Sequence, residues 1–118
     1  IYEDFKKVGT ALGAESQSEN LLSRVKSGLE EIAVKARTLK QKKVALIEWI
    51  DPLMAAGNWM PELLEIAGAS DIFGKAGEHS SVMTFKELID IDPELIIVAP
   101  CGFNMTKTLE EMHFLTER

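Results

Sequence analysis

Apolar residues recur at helical spacing as far as Leu39 and then crowd into short runs, so the chain reads as two helices followed by alternating strands and helices. Tyr2, Phe5, Val8 and Leu12 share one face of a first helix, and Gly13 is placed to end it. Ser16-x-x-Glu19 is a capping-box signature for a second helix. Leu21, Leu22, Val25, Leu29, Ile32, Ala36 and Leu39 form its apolar stripe, and Glu31 and Lys35 are spaced to pair on its surface.

The period then changes. Val44-Ala45-Leu46-Ile47-Glu48-Trp49-Ile50 is apolar almost throughout, as in a strand covered on both faces of a parallel sheet, and Asp51-Pro52 stops it. A loop over 53–59 leads to Pro61 in the first turn of a short helix over 61–67, ended by Gly68. After a loop over 71–77, Thr84-x-x-Glu87 caps another short helix, which stops at Asp92-Pro93. Leu95-Ile96-Ile97-Val98-Ala99 is the second buried strand, ended by Pro100, and Asn104 or Thr106 starts a last helix carrying Leu109, Met112 and Leu115. The stretch over 80–83 is a weak third strand. Strands alternating with helices predict right-handed crossovers and a three-layer, Rossmann-like α/β lobe with a parallel sheet.

Composition changes this picture little. The 118 residues are 46% hydrophobic and 27% charged, enough for one core, and no apolar run approaches the span of a bilayer. A formal net charge of −6 argues against a nucleic-acid partner, which needs clustered, unopposed Lys and Arg. The single cysteine, Cys101, excludes an internal disulfide and disfavours a cysteine-based zinc site. His79 and His113 are not at ligand spacing, and no glycine-rich phosphate loop is present. The chain opens at Ile1 already in helical pattern and so reads as a piece of something longer.

Ligands of open parallel sheets bind beyond the carboxyl ends of the strands. The loops there hold Trp49, Asp51, Asn58 and Trp59 after the first strand, and Cys101 and Phe103 after the second. An aromatic rim with few charges suits a large, flat, mostly apolar ligand. Each residue has a plainer reading: Trp49 as core, Asp51 as a turn cap, Phe103 as a staple for the last helix, Cys101 as a buried filler. Glu62 is favoured by the helix dipole whatever its role.

The segment from Ala45 through Glu48-Trp49-Ile50-Asp51-Pro52 to Gly57-Asn58-Trp59-Met60-Pro61-Glu62 resembles the cobalamin-type branch of the periplasmic solute-binding proteins of ABC transporters, the class with a helical backbone. Asp92-Pro93-Glu94 and the strand running into Pro100-Cys101-Gly102-Phe103 are similar to the same branch. Lys6-Lys7-Val8-Gly9-Thr10-Ala11-Leu12-Gly13 resembles the end of its interlobe helix. The resemblance implies two α/β lobes joined by one long helix, with residues 1–13 closing that helix and 14–118 forming the C-terminal lobe. It implies transport without catalysis, a periplasmic or extracellular membrane-associated location, and a corrinoid such as cobalamin clamped between the lobes for delivery to an inner-membrane permease. The alternatives are a siderophore, haem or metal-ion cargo in the same family, or an α/β enzyme or regulatory domain. Trp49, Asp51, Asn58, Trp59, Cys101 and Phe103 would line the cleft in one aromatic wall, and Glu62 would dock to the permease. Two departures stand out: Asn58 replaces a frequent histidine, weakening any case for direct cobalt coordination, and Ala69 replaces a glycine. A lone lobe of this kind is expected to self-associate through its uncovered apolar surface.

Overall fold

The structure, a computed structural model, describes residues 1–116. It divides between Thr38 and Leu39 into two compact units. The division expected at 13/14 falls inside the first unit, at its turn.

That unit is a helical hairpin of α1 (Tyr2–Ala11) and α2 (Glu15–Ala36), turned at Gly13 with φ 62°. The helices approach closely at Gly9, where a Cβ would stand 2.5 Å from Ser18 Cβ. The Ser18 hydroxyl donates to the Phe5 carbonyl at 2.8 Å, and the Lys26 ammonium lies 5.0 Å over the Tyr2 ring. The capping box expected at Ser16 does not form: Ala14 is the N-cap, and Ser16 lies within the helix. The tight turn explains this, because the Ala14 N–H donates to Gly9 (2.8 Å) while its carbonyl accepts from Ser18 (3.0 Å), starting the helix earlier than the signature predicts. Glu30 pairs with Arg37 at 3.3 Å, and among the described residues no ion pair joins Glu31 to Lys35.

The second unit is built on β1 (Lys42–Trp49). Strand β5 (Leu95–Val98) runs parallel to it, pairing Val44 with Leu95 and Ile47 with Val98. Strand β3 (Ala69–Asp71) also runs parallel, along Lys42 to Val44, whereas β2 (Met54–Ala55) runs antiparallel at Ile47 and Trp49. Since β5 pairs with both Val44 and Ile47, β3 and β2 must share the opposite edge of β1. Strand β4 (Ser81–Val82) adds antiparallel to β2. The sheet is therefore mixed, with its parallel core as expected and short antiparallel strands beside it.

Alternation along β1 puts its residues into two separate cores. Val44 and Leu46 pack with Ala56, Ala69 and Leu64 of α3 (Met60–Ile66). Ala45 and Ile47 pack with Leu53, Ala55, Met83 and Leu88 of α4 (Phe85–Ile91), joined by Phe114 and Leu115 of α6 (His113–Thr116). Helices thus cover both faces of the strand, the α/β/α layering of the expected lobe. Helix α5 (Met105–Glu111) begins at Asn104, whose side chain accepts from the Lys107 N–H at 2.9 Å. The expected single last helix is broken at Met112 into α5 and α6.

Strand β5 is a correction. It reads as a buried strand, yet Leu95, Ile96 and Ile97 are 47%, 44% and 36% exposed. Its only strand partner among the described residues is β1, so one edge is open. Among the described residues no helix is long and apolar enough to cross a membrane.

The capping box at α4 forms as the spacing predicts. The Thr84 hydroxyl accepts from the Glu87 N–H (3.2 Å), and the Glu87 carboxylate accepts from the Thr84 N–H (2.7 Å). The backbone donor and the hydroxyl of Thr84 hold the Glu87 carboxyl below its ordinary value. A carboxyl depressed in the folded state stabilises above its unfolded value and loses that contribution as the pH falls toward the folded one. Thr84→Ala is expected to cost about 1 kcal/mol at neutral pH and less in acid, read from urea unfolding of the full-length protein at both pH values. Equal losses at both pH values would remove the carboxylate from the cap.

Candidate functional site

The carboxyl ends of β1 and β5 carry two depressions with no lining residue in common. The first, of about 380 Å³, is lined by Leu46 and Glu48 of β1, by Ala56, Gly57, Asn58, Trp59 and Met60, and by Ala99 and Cys101. The second, of about 320 Å³, is lined by Trp49, Ile50, Asp51, Phe103, Lys107, Glu111 and Phe114.

The first depression is shaped by a close approach of two loops. Gly57 abuts the 78–80 backbone: a Cβ there would lie 2.5 Å from the Glu78 carbonyl oxygen and 2.6 Å from Ser80 N. Only glycine lets the chains meet at that distance. The loops are then laced together. The Asn58 N–H donates to Glu78 at 2.6 Å, the Gly77 N–H donates to Asn58 at 2.8 Å, and the Gly57 N–H donates to the Ser80 hydroxyl at 3.2 Å. Asn58 adopts φ 56°, a left-handed conformation that asparagine tolerates better than most residues. The geometry delivers Trp59 to the start of α3 with half its surface, 51%, exposed. Cys101 is a free, exposed thiol, so the reading as a buried filler fails.

In the second depression the Trp49 indole packs on the Phe103 ring at 5.1 Å and donates from Nε1 to the Asp51 carbonyl at 3.0 Å. The Lys107 ammonium lies 5.6 Å from the Phe103 ring centre and pairs with Glu111, whose hydrogen bond holds the lysine above its ordinary range. Trp49 is half-buried and Asp51 exposed.

The structure therefore brings the expected residues together in two groups: Asn58, Trp59 and Cys101 in one, Trp49, Asp51 and Phe103 in the other. In place of a single aromatic wall there are two hollows, one bordered by Leu46, Ala56 and Met60 of the Val44–Leu46 core and the other by Ile50 and Phe114 of the Ala45–Ile47 core. Alternation along β1 accounts for the split, since Leu46 and Glu48 line the first hollow while the next residue, Trp49, lines the second; the pairing with β2 also shifts register between Ile47 and Trp49. Glu62 lies outside both depressions, exposed in the first turn of α3, with Glu65 exposed one turn further on.

Residue-by-residue reading missed Glu48, Met60 and Lys107. For Glu48 a signal was present: it is the one charged residue in the apolar run from Val44 to Ile50, near the carboxyl end of β1. Its carboxylate accepts from the Ser80 hydroxyl at 2.7 Å. No cluster of three or more potential metal-ligating His, Cys, Asp or Glu residues occurs among the described residues.

The profile of a family described as periplasmic binding protein matches residues 1–117. No curated protein matches the chain significantly. Among solved structures, a periplasmic binding protein from Veillonella parvula is similar at TM-score 0.78 and 19% identity, over 98% of this chain and 40% of that one. An ABC transporter substrate-binding protein from Listeria monocytogenes is similar at TM-score 0.76 and 13% identity, over 95% and 46% respectively. A periplasmic heme binding protein from Pseudomonas aeruginosa is similar at TM-score 0.74 and 19% identity, over 96% and 43%. The chain thus spans less than half the length of these structures, and at these identities the likeness is one of fold.

Proposed function

Since the chain belongs to the periplasmic binding protein family, we propose that it forms the C-terminal lobe of the substrate-binding component of an ABC importer, with a corrinoid such as cobalamin as cargo. In this reading residues 1–13 end the helix joining two lobes, 14–118 form the lobe itself, and the protein works outside the inner membrane. Its role is to bind and deliver, without catalysis.

The observation that carries the cargo assignment is the first depression. An exposed indole at Trp59 borders a broad, largely apolar hollow at the strand ends, with Glu48 and Asn58 as its polar points. A flat macrocycle gains from stacking on such an indole while its polar periphery meets the few polar groups. The Trp49–Phe103 pair adds a second apolar surface at the same strand ends. Glu62, exposed on α3, is the carboxylate that would meet arginines of the permease.

The test is a titration of the full-length protein with cyanocobalamin, followed by tryptophan fluorescence. Saturable quenching at micromolar ligand is expected; its absence rejects the corrinoid.

Haem is the second reading, favoured by the likeness in fold to the periplasmic heme binding protein from Pseudomonas aeruginosa and by the sulfurs of Met60 and Cys101 in the lining. Siderophore and metal-ion cargoes belong to the same class of alternative. The absorbance spectrum of protein purified from its own host separates them, since a haem Soret band is distinct from the corrin bands.

A further inference from the structure

We propose that Glu48 makes the first depression select a guest edged with amide N–H donors over one edged with carboxylates, an inference that rests on the corrinoid reading. Among the described residues Glu48 is the only charged side chain in that lining. A carboxylate in a mostly apolar hollow is costly unless hydrogen bonds compensate it, and here one is built in. The Ser80 hydroxyl donates to Glu48 Oε2 at 2.7 Å. The same hydroxyl oxygen accepts the Gly57 N–H at 3.2 Å, which directs its own hydrogen toward the carboxylate.

Ser80 is in turn held in place. The bonds from Asn58 to Glu78 and from Gly77 to Asn58 tie its loop to the segment bearing Trp59. The carboxylate is therefore positioned before any guest arrives. An ionised carboxylate accepts hydrogen bonds and donates none, with room for about four. The Ser80 bond leaves most of that capacity to a guest.

The chemistry of the guest follows from this. A primary amide offers two N–H donors and carries no charge, so it can satisfy Glu48. A carboxylate offers no donor and repels it. The corrin ring is edged with primary amides, whereas haem carries two propionates. A corrin whose amides are hydrolysed to acids keeps the size and flatness of the ring, loses the N–H donors and gains a negative charge at each, so the Glu48→Gln comparison isolates the share that belongs to Glu48.

The experiment uses the full-length protein with dicyanocobinamide as the amide-edged probe and dicyanocobyrinic acid as the carboxylate-edged one. Dissociation constants come from equilibrium dialysis at neutral pH. The unaltered protein is expected to prefer the amide probe by about 100-fold, the scale on which juxtaposed like charges discriminate. Glu48→Gln keeps the shape and can still accept from Ser80, and thermal melting by circular dichroism checks that the variant folds. Its preference is expected to narrow by about tenfold, chiefly through tighter binding of the acid. An unchanged ratio in a folded Glu48→Gln variant that binds cobinamide overturns the role of Glu48 and leaves the corrinoid reading standing. Failure of the unaltered protein to bind either probe overturns both.

Discussion

Ile47→Ala is expected to destabilise the full-length protein by about 2–5 kcal/mol, measured by urea unfolding with circular dichroism. Ile47 is fully buried, at 0% exposure, and among the largest side chains so enclosed. Its backbone is locked on both edges, against Val98 of β5 and Ala55 of β2. Its side chain meets the core shared by Leu53, Met83 and Leu88. A strand pinned on both sides cannot move in to fill the space of three lost carbons, so the cavity cost adds to the transfer cost. Ile47→Val removes one methyl and should cost only about 0.5–1.5 kcal/mol. Ile97→Ala on the open strand β5, where the side chain is already 36% exposed, should cost less than Ile47→Ala. If the Ile47 and Ile97 variants lose equal stability, β1 is not the centre of this fold.

Trp59→Ala should weaken cyanocobalamin binding by about 1–3 kcal/mol, the range found when an aromatic stacking platform is removed. By the usual conversion that is roughly a 5- to 150-fold rise in dissociation constant. Equilibrium dialysis of the coloured ligand reads it directly and does not depend on the indole that has been removed. The same substitution should leave unfolding nearly unchanged, because half of the Trp59 surface faces solvent and little packing is lost. Trp59→Phe should recover most of the affinity, since a smaller ring still stacks. Trp49→Ala should behave differently. Its indole packs on Phe103 and donates to the Asp51 carbonyl, so stability falls along with any effect on binding. A Trp59→Ala protein that binds as tightly as the parent would remove this residue from the site.

Much of the secondary structure was legible without coordinates because it is decided by near neighbours. The 3.6-residue stripe marks α1 and α2, and Thr84 with Glu87 caps α4 through contacts three residues apart. The apolar run ending at Asp51-Pro52 is β1, and Asn104 opens the last helical region. The alternation of strands and helices was enough to predict an α/β lobe. The failure at Ser16 shows the limit of such signals, for a tight turn at Gly13 and Ala14 supplied the helix start by backbone bonds alone.

The candidate site was legible in its membership more than in its arrangement. Sequence by itself determined that Trp49 ends the first main strand, that Asn58 and Trp59 follow it, and that Cys101 and Phe103 follow the second, because chain order puts them there. Only the tertiary structure decided how they divide. The weak strand over 80–83 is β4, but strands as short as β2 and β3 have no periodicity to read and exist through pairing in the sheet. Alternation at the end of β1 turns Glu48 and Trp49 to different hollows, but that Asn58, Trp59 and Cys101 join Glu48 while Asp51 and Phe103 join Trp49 is set by the tertiary path of the loops. Glu48 meets Ser80 across 32 positions of chain. Which distant hydroxyl a side chain finds depends on long-range packing that no local pattern encodes.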